Sequence, residues 1–218
     1  MMGHRRSFAI LWLLAFLFAL PTSPQGDAAL KTTTDPFLQR VRSRILQSQP
    51  FRVDFVQQVY IDEELTLKES GVIVFADREH VKWQYLDPEY KVFILEQGRY
   101  RFYDRENNQL LRGQLGERNE QLIWELLLSD RPGGAASWDA RSRTIRLRLG
   151  DEAGAEGAQE LKIIVGADFL PRRVEQAAAN EITTVYVFRN YRSRVALAAG
   201  EFDLDLPADV EVIEGQAP

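Results

Sequence analysis

Few side chains of this sequence are suited to covalent or acid–base chemistry. The chain contains two histidines, His4 and His80, and no cysteine, so Cys–His catalysis and disulfide bonds are excluded. A Ser–His–Asp triad would have to use His80, which lies in the polar segment REHVK between two apolar segments. Histidine in such a turn is typical of a surface side chain. Because clustered His and Cys are also absent, we predict no catalytic residue, no metal and no cofactor.

Carboxylates are numerous, and they leave one kind of chemistry open. A pair of Asp or Glu side chains could hydrolyse a glycosidic bond, so a secreted hydrolase stays an alternative. Most of these carboxylates alternate with apolar residues or occupy turns, where charged side chains face solvent. The acidic stretch Asp151-Glu152 with Glu156 lacks the regular spacing of a calcium loop. Catalysis is therefore the less favoured class of function.

The first 28 residues have the order of a secretory signal peptide. MMGHRR is basic, SFAILWLLAFLFAL is apolar, and PTSPQGDA offers a small-residue cleavage site. The apolar run is shorter than the roughly 20 residues of a membrane-spanning helix, so we predict cleavage after Ala28 and export. One domain, residues 29–218, then remains with a net charge of −6, since the −5 of the full chain loses Arg5, Arg6 and Asp27. This acidic balance and the lack of a polybasic stretch argue against nucleic acid and anionic lipid as partners.

The remaining sequence indicates one N-terminal helix followed by many strands. An apolar stripe at a spacing of four, bounded by Asp35-Pro36 and Pro50, predicts a helix over residues 35–48. After Pro50 the period changes to two, which is typical of strands, and segments 71–76, 91–96 and 161–165 are apolar on both faces. Alternating apolar residues mark further strands around Phe51, Val53, Phe55, Val59 and Ile61; Val81, Trp83 and Tyr85; Tyr100 and Phe102; Ile145, Leu147 and Leu149; Ile182, Thr184, Tyr186 and Phe188; and Phe202, Leu204 and Leu206.

Short strands without alternating helices favour an antiparallel sheet that meanders and curls or closes into a barrel. One segment interrupts the strands, because residues 122–128 in RNEQLIWELLLSD are apolar around nearly the whole circumference of a short helix. Such a helix must be buried on more than one side. A curled sheet with helices over its mouth would bury this helix, and any space left inside would be an apolar cavity that accepts hydrocarbon.

From Phe51 onward the sequence resembles the LolA-type family of outer-membrane lipoprotein carriers. The matching segments are, in order, FRVDFVQQV, SGVIVFADREHVKWQYLDP, ILEQGRYRFYD, LIWELLL, FLPRRVE, TTVYVFRNY and FDLDLPADVEVI. Their order and spacing cover nearly all of the chain after the predicted signal peptide. The resemblance implies a single-domain, unclosed antiparallel β-barrel, of α+β class but mainly β, with helices covering an apolar cavity.

For function, the resemblance implies a periplasmic carrier that shields the acyl chains of lipoproteins. Such a carrier takes lipoproteins from an inner-membrane ABC exporter and hands them to an outer-membrane receptor, without a cofactor; we expect a monomer. In the family, an arginine in the turn before the W-x-Y strand ties the barrel to the lid. An ungapped match sets Asp77 and Arg78 at the positions of the family's Arg-Pro, and a one-residue shift is needed to place Arg78 on the arginine; with that shift Arg78 is the candidate latch. The candidate cavity wall and lid comprise Val81, Trp83, Tyr85, Phe93, Leu95, Phe102, Leu122, Ile123, Leu126 and Leu127.

Two alternatives share the same fold. The resemblance also extends to proteins of this fold that carry other lipids or acyl products in the periplasm, and to others that are sensors of mislocalised lipoproteins. A sensor or interaction module would bind a partner protein through an open edge of the sheet and would need no empty cavity. Two family aromatics are replaced here, one by Val81 and a tryptophan by Phe102, which concerns the cargo rather than the fold.

Overall fold

The computed structural model describes residues 36–114, 128, 135–149, 159–177 and 181–215. Over these ranges, one helix, α1 (Pro36–Ser48), is followed by a 12-stranded sheet. The predicted signal peptide and the lid residues Leu122, Ile123, Leu126 and Leu127 lie outside them. No helix in the described ranges is long and apolar enough to cross a membrane.

The sheet consists of two antiparallel meanders joined by their long strands. β1 to β6 follow one another from strand to neighbouring strand, as do β7 to β11, and β1 pairs with β11 where the meanders meet. The last strand, β12, lies parallel to β6, which corrects the prediction of a purely antiparallel sheet. The strands are β1 (Phe51–Ile61), β2 (Glu64–Phe75), β3 (His80–Asp87), β4 (Lys91–Glu96), β5 (Arg99–Asp104), β6 (Gln109–Gln114), β7 (Ala135–Asp139), β8 (Thr144–Leu149), β9 (Gln159–Val165), β10 (Pro171–Ala177), β11 (Ile182–Ser193) and β12 (Glu211–Gly215).

The sheet is strongly curved but not closed. In the strand order, β2 and β1 lie between β3 and β11, which in a flat sheet would hold those strands about 14 Å apart at roughly 4.8 Å per strand. The ring centroids of Trp83 on β3 and Tyr186 on β11 are nevertheless 5.4 Å apart. The two side chains therefore meet across a concave face. Since β12 and β7 form the two edges of the sheet, the prediction of an unclosed, mainly β fold is confirmed.

Helix α1 packs on this concave face. Most of the predicted stripe is confirmed, since Phe37, Leu38, Val41 and Ile45 are buried and belong to the hydrophobic core. Leu46, which was predicted to lie beside them, is exposed instead, because it lies on the outer side of the helix. Pro36 occupies the first turn, where its missing N–H costs nothing, and the helix ends before Pro50. Burying a large apolar side chain of this kind contributes roughly 1.5–3 kcal/mol, so this stripe is what attaches the helix to the sheet.

Residues 194–210, the C-terminal strap, run from β11 to β12 over the opposite, convex face. Two side chains of the sheet contact Glu201 of the strap. Arg52 forms an ion pair with the Glu201 carboxylate at 2.6 Å, and the Lys82 ammonium donates a hydrogen bond to the Glu201 carbonyl oxygen at 3.0 Å. Arg101 on β5 donates to the carbonyl oxygen of Phe202 at 3.0 Å. The strap thereby covers the outer side of β4, which explains why both faces of that strand are buried.

The strap also corrects the prediction of a strand through Phe202, Leu204 and Leu206. These residues have no strand partners, although their side chains are half-buried while Asp203 and Asp205 are exposed. Alternation here reflects an extended segment that lays every second side chain on the sheet. The period of two was therefore real, but the inference of a hydrogen-bonded strand was wrong.

Candidate functional site

The concave face is built from apolar rows that run across neighbouring strands. Strand register pairs Ile73 with Trp83, Trp83 with Phe93, and Phe93 with Phe102. A second row pairs Phe75 with Val81 and continues to Leu95 and Tyr100. Residues paired directly across strands project to the same side of a sheet. The rows consequently form one continuous apolar surface under α1.

The six predicted wall residues that the structure describes all lie on this face. Register decides the orientation of β4, where the sequence alone was ambiguous: Phe93 and Leu95 point to the concave side with Trp83. Val92 and Ile94 point to the convex side under the strap. The six side chains belong to one core cluster and are at most 4% exposed: Val81, Trp83, Tyr85, Phe93, Leu95 and Phe102.

Aromatic rings fill the centre of the concave face. The ring centroid of Phe55 on β1 lies 5.4 Å from that of Trp83 and 5.0 Å from that of Tyr85, in edge-on geometry. Phe55 and Tyr85 contact each other across Gly71, their common neighbour on β2. A Cβ atom at Gly71 would lie 1.9 Å from the carbonyl oxygen of Gln84, so only glycine fits between these strands.

Polar side chains close one end of the concave face, where β4 begins. The Lys91 ammonium contacts the Glu69 carboxylate at 2.7 Å, and these side chains are only 3% and 2% exposed. Beside them, the Tyr85 hydroxyl donates to Oε1 of Gln57 at 2.8 Å. Sequence reasoning missed Lys91, although it stands two residues before Phe93 and therefore on the same face of the strand. This spacing was the available signal.

Burial shifts the pKa values of the titratable side chains at this polar end. It raises the pKa of the Tyr85 hydroxyl well above its usual value, with smaller contributions from Tyr186 and the Glu69 carboxylate. The pKa of Tyr186 is raised in the same way, first by burial and then by Glu69. For Lys91, burial lowers the pKa but the Glu69 carboxylate outweighs it, and the net shift is upward. Both tyrosines are thus neutral and the lysine charged near neutral pH.

The candidate latch Arg78 contacts the segment that was predicted to form the lid. One guanidinium nitrogen of Arg78, in the turn between β2 and β3, donates to the carbonyl oxygen of Leu128. Leu128 itself is buried in the core cluster. Nδ1 of His80, the first residue of β3, lies 2.8 Å from an oxygen of the exposed Asp77 in this turn. The His80 ring contacts Phe202 of the strap, with 5.9 Å between ring centroids, so His80 lies outside the concave face.

The side chains described on the concave face are mainly aliphatic and aromatic and form the buried core. Among the described residues, no group of three or more His, Asp or Glu side chains could hold a metal ion. The Glu69–Lys91 pair ends the apolar rows at one side.

The family comparison agrees with this geometry. Residues 47–205 match the family described as "Outer membrane lipoprotein carrier protein LolA". The match spans β1 to β11 and most of the strap. No curated protein sequence matches the chain.

Solved structures of other proteins superpose on most of this chain. A conserved protein of Thermus thermophilus, described as uncharacterized, superposes with a TM-score of 0.50 at 15% identity, covering 82% of this chain and 97% of its own. A LolA superfamily protein of Nitrosomonas europaea gives a TM-score of 0.43 at 9% identity, with 77% and 96% of the chains covered. The lipoprotein LppX of Mycobacterium tuberculosis gives 0.41 at 9% identity, with 75% and 99% covered.

Proposed function

The chain belongs to the LolA family, and from this premise we propose that it carries acylated cargo, namely lipoproteins, across the bacterial periplasm. The observation that carries the proposal is the continuous aromatic and aliphatic concave face under the short helix α1. Hydrocarbon on such a face avoids water at roughly 0.8 kcal/mol per methylene group, about 13 kcal/mol for an acyl chain of about 16 carbons. The protein acts by binding and release rather than by catalysis.

Loading requires that something leave the concave face, because its side chains are buried in the empty carrier. Helix α1 and Leu128 are the candidates, since both contribute buried apolar side chains to the core. The four buried apolar residues of α1 contribute together about 6–12 kcal/mol at roughly 1.5–3 kcal/mol each. The cost of displacing the helix therefore offsets a large part of the gain from burying one acyl chain. A carrier that must both load and release benefits from such an offset.

The cellular setting follows from the family. We propose that residues 1–28 direct export and that residues 29–218 act as one domain in the periplasm. The partners would be an inner-membrane ABC exporter that supplies lipoproteins and an outer-membrane receptor that accepts them. The Arg78–Leu128 hydrogen bond supports a latch that holds the lid segment closed between these encounters.

A release experiment tests the cargo. Spheroplasts that retain radiolabelled outer-membrane lipoproteins receive the protein purified from a periplasmic extract. We expect labelled lipoprotein in the soluble fraction as a one-to-one complex. If nothing is released while a known carrier works alongside, the lipoprotein assignment is wrong. Mass spectrometry of copurified lipid then decides whether another acyl cargo is bound.

Two adjacent residues of β4 provide a matched test of the binding face. Phe93 faces the concave side and Ile94 the convex side, and both are buried. Replacing either by alanine should cost about 2–5 kcal/mol of stability. Only Phe93→Ala should also weaken cargo retention, measured below the unfolding temperature of both variants. Equal retention by the two variants would show that cargo does not bind on the concave face.

A further inference from the structure

Charge in this protein is segregated between the two ends of the sheet. In an antiparallel meander, successive turns lie alternately at opposite ends of the strands. The end where β1 starts also holds α1, the turn 140–143, the turn 166–170 and the residues after β11. We call this the basic end, because its described side chains include Arg40, Arg44, Arg141, Arg143, Arg172 and Arg194.

Contacts around the turn 166–170 join most of these arginines into one surface. Arg44 donates to the carbonyl oxygen of Asp168 at 3.2 Å, and Arg172 pairs with the Asp168 carboxylate at 2.6 Å. The guanidinium of Arg40 lies 5.8 Å from the ring centroid of Phe169. The backbone of Arg143 accepts a hydrogen bond from Val165 at 2.9 Å, which places the turn 140–143 directly beside this group.

Several of these charges have no carboxylate partner. Arg40, Arg141, Arg143 and Arg194 are exposed, and none of them forms an ion pair with a described residue. The Asp139 carboxylate in the neighbouring turn instead accepts bonds from the Arg141 backbone N–H and from a serine hydroxyl. The turn between β2 and β3, on the other side of the same end, has both signs of charge. The positive potential therefore lies on the α1 side.

The opposite end is acidic. Its turns and strand ends carry Asp62, Glu63, Glu64, Asp87, Glu89 and Glu181. An 11-residue strand such as β1 is about 35 Å long at roughly 3.3 Å per residue, several times the screening length of about 8 Å at physiological salt. The two ends consequently act as separate electrostatic surfaces, even though the whole chain is negative.

We propose that the basic end docks the protein on the anionic phospholipid surface of a membrane. Guanidinium groups bind phosphate in bidentate geometry, and here they come from several elements that share one end of the molecule. Leu46 on α1 is 47% exposed beside them and supplies an apolar contact for the interface. The acidic end is repelled by the same surface, so docking has one orientation. The sequence does not show this surface as a polybasic stretch, because arginines from distant segments converge only in the fold.

This orientation brings the Arg78–Leu128 contact to the membrane. The Arg78–Leu128 hydrogen bond lies at the same end as the arginines, whereas the Glu69–Lys91 pair closes the acidic end of the concave face. An acyl chain that leaves the bilayer would meet the Arg78–Leu128 contact first and the polar end of the concave face last. The docking surface itself does not depend on which cargo is carried.

Vesicle flotation tests the proposal without any protein partner. The protein is expressed from the full chain, purified from a periplasmic extract, and mixed with phosphatidylethanolamine vesicles containing phosphatidylglycerol or with pure phosphatidylcholine vesicles. The variant Arg40→Gln/Arg141→Gln/Arg143→Gln removes three exposed charges at the basic end. Its matched control, Lys68→Gln/Arg105→Gln/Arg112→Gln, removes three exposed charges elsewhere.

We expect binding to the anionic vesicles that weakens as salt is raised. Each arginine near an anionic membrane contributes roughly fivefold to the binding affinity, so the loss of three should weaken the binding of the basic-end variant about a hundredfold. The affinity of the control variant should stay close to that of the unchanged protein. Circular dichroism should show the same fold in all three proteins. Equal binding to both vesicle types, or equal loss in the two variants, would overturn the proposal. If binding to the two vesicle types is equal, an acidic surface of a partner protein becomes the better candidate for the binding partner of the basic end.

Discussion

Replacing Lys91 by methionine should destabilise the protein severely, because it leaves the Glu69 carboxylate in the core without a counter-ion. The side chains of Lys91 and Glu69 are 3% and 2% exposed, so solvent cannot compensate for the lost ammonium group. Removing one partner of a buried pair costs about 3–5 kcal/mol. At roughly 2–4 °C per kcal/mol for a domain of this size, the melting temperature should fall by about 6–20 °C.

The double variant separates the free energy of the ion pair from the effects of its two individual side chains. Lys91→Met/Glu69→Leu replaces both charges by apolar groups of similar size, which is often neutral or stabilising for a buried pair. We therefore expect it to recover most of the loss, with a coupling free energy of about 2–4 kcal/mol in the double-mutant cycle. The remaining neighbour of Lys91, Glu89, is 39% exposed and can be solvated when the lysine is gone.

Thermal and urea unfolding followed by circular dichroism at neutral pH measure both variants. Lys68→Met is the matched control, since Lys68 precedes Glu69 on β2 but is exposed. Its effect should stay within about 0.5 kcal/mol. If Lys91→Met costs less than about 1 kcal/mol, or if the double variant is as unstable as the single one, the reasoning from an uncompensated buried charge is refuted.

Three further predictions concern the latch, a glycine and alkaline pH. Arg78→Leu removes the donor to Leu128 and should change the loading or release of cargo with an unaltered circular dichroism spectrum; transfer at the normal rate would exclude the latch. Gly71→Ala places a Cβ 1.9 Å from the Gln84 carbonyl oxygen and should cost about 1–3 kcal/mol in urea unfolding, and an unchanged midpoint would contradict this. Burial raises the pKa of Tyr186, so its contribution to stability is complete below pH of about 10 and is lost as the pH rises further. Tyr186→Phe should lessen that alkaline loss; an equally steep decline of the unfolding free energy would refute it.

Much of the fold could be predicted from the periodicity of the sequence. The stripe of α1 and the alternation of β1 follow from local spacing, and both elements lie where that spacing indicated. What periodicity cannot specify is the partner of each segment. The alternation through Phe202, Leu204 and Leu206 looked like a strand because an extended segment packed on a sheet buries every second residue, whether or not its backbone pairs.

The side chains that face the concave side could be predicted to a similar extent. Residues Val81 to Tyr85 were assigned to the inner face because polar residues alternate with them, and register agrees. β4 has no such alternation, since the strap buries its outer side, so the orientation of Phe93 required the pairing with Trp83. The opposite charges of the two ends could not be predicted either, because the net charge is a sum over residues that the meander places at different ends. These features depend on contacts between distant parts of the chain.

The pairing of β1 with β11 has a consequence for how the protein reaches its folded state. Asp54 and Asn190, hydrogen-bonded across this junction, are 136 positions apart in the sequence. During folding the first meander can form from nearby segments, but one edge of β1 then stays unpaired until β11 arrives. An exposed edge with alternating apolar residues is a template for pairing with other chains. Slow closure of this long-range contact should make the newly synthesised chain depend on chaperones more than its final stability would suggest.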